Sequence, residues 1–403
     1  VRLYINEIPH DEEFVRTEVQ FIPAKLKVID HYRETYECRS CRKNGTPYME
    51  KAPVPYPPVL HSLASASTIT WLIHQKFELS IPLYRQEKEW EALGLRLSRA
   101  TMSNWLLVVY RDWLVHIVHR LKLELLKQRY LHIDETHVQV LKEPGRKNTS
   151  DSYMWVYCSI RDAVNPIRYF EYQPGRSGKY PEAFLREYEG YIHTDAYSGY
   201  NAVSGVKRCL CYTHLRRAFV DALPKDIHNS EASKPAEAIL RLNQLFNIAS
   251  ELEALPPDQK KKERLIREKP LLEAFWSWAE KSAIGELPKS KLSKAFHYAL
   301  NNREGFWNYL EDGNCSISNS LAENCIRPFV IGRKNWLFSG SPKGAEASAG
   351  IYTLVETAKA NGLAPMKYIK YILSDMPGSA FLEHPEYLDD YLPWNPLVKE
   401  FCR

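Results

Sequence analysis

Leu131-His-Ile-Asp-Glu-Thr-His-Val-Gln-Val-Leu141 decides the fold. Its apolar and β-branched positions read as a strand, and Asp134 stands in the middle of it. Tyr153-Met-Trp-Val-Tyr-Cys-Ser-Ile160 and Ile167-Arg-Tyr-Phe-Glu-Tyr172 repeat the pattern after polar connections holding Pro144-Gly145 and Asn165-Pro166. Three antiparallel strands are therefore expected. A short helix around Pro181 to Tyr188 follows, then strands at Tyr191-Ile-His-Thr-Asp195 and Val206-Lys-Arg-Cys-Leu-Cys211, the latter running into a helix from about His214. The order β-β-β-α-β-α-β describes an α/β fold, a mixed sheet with helices packed on it.

Downstream, about Lys225 to Asp312 reads as helical and polar, and the lysine run in Pro256-Pro-Asp-Gln-Lys-Lys-Lys-Glu-Arg264 reads as a solvated face. Ser316 to about Asp375 mixes a helix, the turn Gly340-Ser-Pro-Lys-Gly344 and two apolar helices. Upstream, Val1 to about Tyr56 reads as short strands, Glu18-Val-Gln-Phe-Ile and Lys25-Leu-Lys-Val-Ile-Asp-His-Tyr, with Cys38-Arg-Ser-Cys41 following. Pro53-Val-Pro-Tyr-Pro-Pro58 then breaks helix and strand alike. Leu60 to Gln128 turns helical. One helix ends at Leu93-Gly94-Leu95 and the next begins at Ser98-Arg-Ala-Thr-Met-Ser-Asn-Trp105, the pattern of a helix-turn-helix, which a plain helical hairpin also produces. Trp105, Val109, Trp113 and Ile117 continue that helix as a core stripe. These shifts divide the chain into 1–57, 58–129, 130–224, 225–315, 316–375 and 376–403.

The 403 residues are 44% hydrophobic, 26% charged and 12% aromatic, which excludes disordered, collagen-like and small disulfide-stapled classes. No apolar run approaches the roughly 18–20 residues of a membrane span, and Asp11, Glu12 and Glu13 spoil a signal peptide, so a cytoplasmic protein is expected. A net charge of +5 leaves room for a cationic groove without naming its partner. Eight cysteines read as reduced thiols or metal ligands rather than disulfides. The chain starts at Val1, so a missing N-terminal piece is kept in view.

Asp134 and Asp195 carry the chemistry. An ionised carboxylate in a sheet is costly unless it is paired or binds a cation. Either one alone can be a hydrogen-bonding turn residue or helix cap; two on strands that can be neighbours call for a stronger account. Two carboxylates on adjacent strands and a third from a helix make an oxygen cage for a pair of Mg²⁺ or Mn²⁺ ions, which can drive an in-line phosphoryl displacement. Glu323 is the best third acid, with Arg327, Arg333, Lys334 and Asn335 forming a positive rim beside it.

Three blocks carry a family resemblance. Ser318-Asn-Ser-Leu-Ala-Glu-Asn-Cys-Ile-Arg-Pro-Phe-Val-Ile-Gly-Arg-Lys-Asn-Trp-Leu-Phe-Ser339 resembles the third-acid segment of the insertion-sequence-66 family of bacterial DDE transposases. Ile133-Asp-Glu-Thr-His-Val-Gln-Val-Leu141 resembles its first-acid strand and His193-Thr-Asp-Ala-Tyr-Ser-Gly-Tyr-Asn201 its second. Cys211-Tyr-Thr-His-Leu-Arg-Arg217, Glu356-Thr-Ala-Lys-Ala-Asn-Gly-Leu363 and Leu392-Pro-Trp-Asn395 match in order, so the likeness covers nearly the whole chain. It departs at Ser318 and Ser320, where an Asp-Asn-Asn run is usual, at His137 in place of Pro, and at Ala196 in place of Gly.

The resemblance implies an RNase H-like catalytic core with Asp134, Asp195 and Glu323 as its metal-binding triad, interrupted by a helical insertion. The gaps of 61 and 128 residues between the acids accommodate this. It also implies a zinc ribbon ahead of the helix-turn-helix. Only Cys38 and Cys41 stand in CxxC spacing, whereas a closed zinc site takes four ligands. Either an upstream pair is missing or the element folds without zinc. Cys209, Cys211 and His214 offer another metal cluster, though Cys-x-Cys on one strand face is ordinary core material. His132 and His193 read as core or supporting residues. His214, Arg216 and Arg217 are placed toward DNA, with surface salt bridging as the plain reading of the arginines. Arg99, Ser103 and Asn104 are the candidate base-reading contacts. The Gly340–Gly344 turn can either approach DNA or simply connect. The implied function is cleavage at an element's terminal inverted repeats and strand transfer into target DNA, by a nucleoid-associated homo-oligomer with accessory proteins. Its rivals are an RNase H-like nuclease without strand transfer and a decayed DNA-binding relic.

Overall fold

The protein is described by a computed structural model covering residues 14–22, 24–224 and 233–403. The expected opening of the N-terminal element (1–13), the acidic residues of the signal-peptide argument and the first residues of the insertion (225–232) lie outside the described residues. The chain forms two compact units, one of Val1–Val54 with Lys88–Arg96 and one of Pro55–Glu87 with Leu97–Arg403.

In the smaller unit β1 (Thr35–Glu37) and β2 (Met49–Lys51) form an antiparallel ribbon around α1 (Arg39–Lys43). The strands expected at Glu18–Ile22 and Lys25–Tyr32 are absent among the described residues. Alternation makes a strand only where a partner supplies a ladder, and Val19, Phe21, Val28 and Tyr32 are instead exposed.

The larger unit begins with α2 (Ala66–Ile73), capped by Ser65, whose side chain accepts the Thr68 N–H. α3 (Leu83–Ala92) starts in this unit, its residues from Lys88 on and Gly94, with φ +89°, belong to the smaller unit, and α4 (Arg99–Val109), whose Ser98 cap accepts the Thr101 N–H, is again in the larger. The expected cap and glycine turn are thus in place. α4 runs through a π-helical turn (Tyr110–Leu114) into α5 (Val115–Leu126), burying Trp105, Val109, Leu114, Ile117 and Leu121 as one stripe.

Among the described residues the main sheet has six strands: β3 (Tyr130–Val140), β4 (Asp151–Ser159), β5 (Arg168–Gln173), β6 (Gly190–Thr194), β7 (Val206–Leu210) and β8 (Phe338–Ser339). Its order is β5-β4-β3-β6-β7. β4 runs antiparallel to both β3 and β5, β6 is parallel to β3 and β7, and β8 adds in parallel to the end of β3. α6 (Lys179–Phe184) precedes β6. Between β6 and β7 there is only a 3₁₀ turn (Ser198–Ala202), and α7 (Tyr212–Val220) follows β7, so the expected helix between those strands is corrected. Eleven residues join the two parallel strands, too few for a packed crossover helix.

The insertion comprises α8 (Lys234–Glu251), α9 (Pro257–Glu263), α10 (Lys269–Ala283), α11 (Lys291–Asn301) and α12 (Arg303–Trp307). Its core is aromatic and continuous with the sheet: Phe275, Trp276, Phe296 and Phe306 pack with Phe219 and Tyr212 of α7 and Leu210 of β7. The lysine run lies on α9, which buries nothing.

α13 (Ser320–Trp336) lies along β3, and α14 (Pro342–Ala360) backs β5. The expected Gly340–Gly344 turn is corrected in part: Pro342, Lys343 and Gly344 already form the first turn of α14, capped by Ser341. Thr353 and Thr357 hydroxyls accept the Phe170 and Arg168 N–H groups at 2.8 and 3.0 Å, closing the edge of β5. α15 (Pro365–Asp375) and α16 (Pro396–Cys402) complete the chain. No helix of the described residues is long and apolar enough to cross a membrane.

Candidate active site

The register of β3 and β6 builds the site. His132 pairs with His193, and their rings stack at 4.2 Å with 9° between planes. Asp134 lies two residues beyond His132 on β3, and Asp195 follows Thr194, the last residue of β6. α13 covers that face. Asn319, at its start, faces the His132 Nδ1 with its Oδ1 at 3.0 Å, donates through Nδ2 to the Ile133 carbonyl at 2.7 Å, and gives its backbone N–H to Cys211 Sγ at 3.1 Å. Glu323 is one helical turn beyond Asn319. Glu323 lies near enough for its charge to act on Asp134.

Burial, the neighbouring Glu135, and the charges of Glu323 and Asp195 push the Asp134 carboxyl up to about 7, against the Glu135 N–H that supports its charged form. Burial also raises Glu135, whose carboxylate nonetheless accepts from Arg176 Nε (2.6 Å) and Tyr200 Oη (2.5 Å). Asp195 accepts the Tyr197 N–H at 2.9 Å and lies 3.8 Å from Arg176. Arg208 fixes the loop beyond β6 by donating to Thr194 Oγ1, Asn201 Oδ1 and the carbonyls of Asp195 and Tyr197. A cavity of about 380 Å³ opens beside Asp195, lined by Arg176, Tyr197, His214, Arg217 and Tyr298.

Cys211 and Cys209 do not share one cluster as their strand spacing suggested. β7 ends at Leu210, and Cys211 is already the N-cap of α7. Cys209 groups with His193 and Cys315, while Cys211 groups with His214 and Glu323. In the first group His193 Nε2 accepts the Ser316 N–H (2.8 Å) and Nδ1 faces the Leu131 carbonyl (3.3 Å), so both ring nitrogens are engaged. In the second, the Cys211 side chain holds His214 above its usual range; burial pushes Cys211 up, but His214 and the Asn319 N–H outweigh it and bring the thiol down.

The other expected site residues spread along nearby surfaces. Arg217 is exposed at the cavity, whereas Arg216 is turned toward α8 and donates to Asn243 at 2.8 Å. On α13, Arg327 and Lys334 are exposed, Arg333 donates to Thr136 at 3.1 Å, and the Asn335 amide is spent on the Ile331 carbonyl. Arg99 and Asn104 are exposed on α4, with Ser103 half-buried.

Residues 61–347 match the sequence model described as Transposase IS66 family, which is more than half of the chain. The chain belongs to the IS66 transposase family. Residues 9–42 match the zinc-finger binding domain of transposase IS66, a stretch that includes Cys38 and Cys41. Similar proteins from Sinorhizobium fredii (strain NBRC 101917 / NGR234) are the uncharacterized proteins y4hP, 26% identical over 95% of this chain and 70% of its own length, and y4qI, 27% identical over 93% and 69%. Within this IS66-family chain the departures noted above have local roles: His137 meets Asp151 of β4 at 2.7 Å, Ala196 packs on the insertion core, and the Ser318 and Ser320 hydroxyls meet at 3.0 Å.

Proposed function

We propose that this chain is the transposase of an insertion sequence, cutting DNA at the element's ends and joining the freed 3′-hydroxyl to target DNA. The observation that supports the reading is that the charges of Asp195 and Glu323 both act on the Asp134 carboxyl and raise it, with Asn319 tying the start of α13 to β3. The β5-β4-β3-β6-β7 sheet serves as the RNase H-like core, residues 58–129 as the helix-turn-helix region, and 225–315 as an insertion between the second and third acids.

The donors suit two hard divalent cations. All three are carboxylates, Glu323 Oε1 is buried without a hydrogen-bond partner, and negative charge around Asp134 outweighs the nearby positive charge. Asp134, Asp195 and Glu323 would hold Mg²⁺ or Mn²⁺, which supplies Lewis-acid polarisation of the phosphate and a more acidic attacking oxygen. Arg217, Arg327, Arg333 and Lys334 take phosphates, and Arg99, Ser103 and Asn104 face the end sequence. Arg176 and Tyr200 hold Glu135 in place beside Asp134. Cys38 and Cys41 lie in the zinc-finger segment and would supply two of the four ligands that a closed zinc site takes.

The test is Mn²⁺-dependent cleavage and joining of a labelled terminal-inverted-repeat duplex. Asp195→Asn and Glu323→Gln should each abolish both steps while leaving DNA affinity nearly intact. Cleavage without joining would indicate a nuclease, and DNA binding with no reaction in any chain would indicate a decayed transposase.

A further inference from the structure

Cys211, His214 and Glu323 stand beside the oxygen cage as a set of different chemistry. His214 Nδ1 and Glu323 Oε1 are both buried without hydrogen-bond partners, yet they face one another at 3.7 Å. Cys211 Sγ lies within 4.8 Å of both. A gap of 3.7 Å is too long for a hydrogen bond. It is close to the nitrogen–oxygen edge of a tetrahedral zinc site, about 3.4 Å for metal–ligand distances near 2.1 Å, and edges to sulfur are about 3.6 Å. A contraction of at most about 1.2 Å at any edge closes the set around one ion.

We infer that Cys211, His214 and Glu323 form a binding site for a single zinc-class divalent cation, distinct in chemistry from the triad but sharing Glu323 with it. The spacing follows from the fold: Cys211 caps α7 and His214 lies three residues on, so both face the same side, where α13 delivers Glu323. The Asn319 N–H donates to Cys211 Sγ, orienting the sulfur as outer hydrogen bonds orient metal ligands. Sulfur and imidazole select Zn²⁺ over Mg²⁺. Three protein ligands leave a fourth position for water. The buried His193–Cys209–Cys315 group is a poorer host, because both His193 nitrogens are already engaged. The consequence, which rests on Glu323 being the third acid, is that Zn²⁺ seated here withdraws that carboxylate and inhibits the Mg²⁺-dependent reaction.

Co²⁺ titration of the full chain carrying Cys38→Ser and Cys41→Ser tests this. One equivalent should give sulfur-to-cobalt charge-transfer and tetrahedral visible absorption that Zn²⁺ displaces and Mg²⁺ does not. Cys211→Ser, which keeps an acceptor for Asn319, and His214→Gln should each lose the absorption, and Cys315→Ser should keep it, with circular dichroism showing all three folded. Absence of the bands in the parent, or bands lost on Cys315→Ser and kept on Cys211→Ser, overturns the site. In the chain with Cys38 and Cys41 intact, Zn²⁺ should suppress Mg²⁺-dependent DNA cleavage, and Cys211→Ser in that chain should weaken the suppression relative to its own uninhibited rate. Cobalt bands as expected with no cleavage in Mg²⁺ would uphold this site and sink the transposase reading instead.

Discussion

Asp134 keeps its proton to about pH 7 in the metal-free fold, against 3.8 in an unfolded chain. The native state therefore binds the proton more tightly, and raising the pH from about 4 to about 7 removes stability, up to about 4 kcal/mol. In EDTA the urea midpoint should fall over that interval, and Asp134→Asn should flatten the fall. Mg²⁺ should raise the melting temperature more at pH 8 than at pH 5, and Asp134→Asn should lose that gain. Asn319 has the opposite character, neutral and fully engaged. Its replacement by Ala strands His132 Nδ1 and the Ile133 carbonyl and should cost about 2–4 kcal/mol by urea unfolding.

Helix α14 is buried along most of its length, and its close approach to the π-helical turn depends on Gly350. A Cβ there would lie 2.0 Å from Tyr110 Cε2. Gly350→Ala should destabilise by about 1–3 kcal/mol, and the double variant with Tyr110→Leu should recover much of the loss in thermal unfolding. The strands bearing Asp134 and Asp195 were legible because alternating apolar residues around a lone carboxylate are a local signal. The Ser98 cap and the glycine turn at Gly94 were legible for the same reason. Glu135 was visible as a second acid in the strand, but its partners Arg176 and Tyr200 lie 41 and 65 residues away, and no local period announces them. Arg208 and Asn319 escaped notice likewise, being ordinary polar residues until the loop beyond β6 and the start of α13 close on them. β8 is two residues long, too short to leave a pattern, and exists because β3 offers it a ladder. In the N-terminal element alternation misled, since among the described residues no partner strand meets 18–22 or 24–32.

At the scale of the whole molecule the net charge is only +5, but Arg176 and Arg217 bring positive charge to the cavity beside Asp195. Affinity for DNA should therefore fall steeply with salt, and Arg217→Ala should reduce the slope of log affinity against log salt by about 1 in fluorescence anisotropy. The insertion is no appendage, because its aromatic core includes Tyr212 and Phe219 of α7 and Leu210 of β7. The Tyr212 N–H also donates to the Ile317 carbonyl, just ahead of α13. That arrangement has a meaning in time. A ribosome emits Asp134 and Asp195 first, then the helical block, and Glu323 only afterwards, so the proposed triad stays incomplete through most of synthesis. Glu323 arrives on a segment pinned to α7, against which the helical block has by then packed. On the proposed function, order of translation thus acts as a safety catch on DNA cleavage.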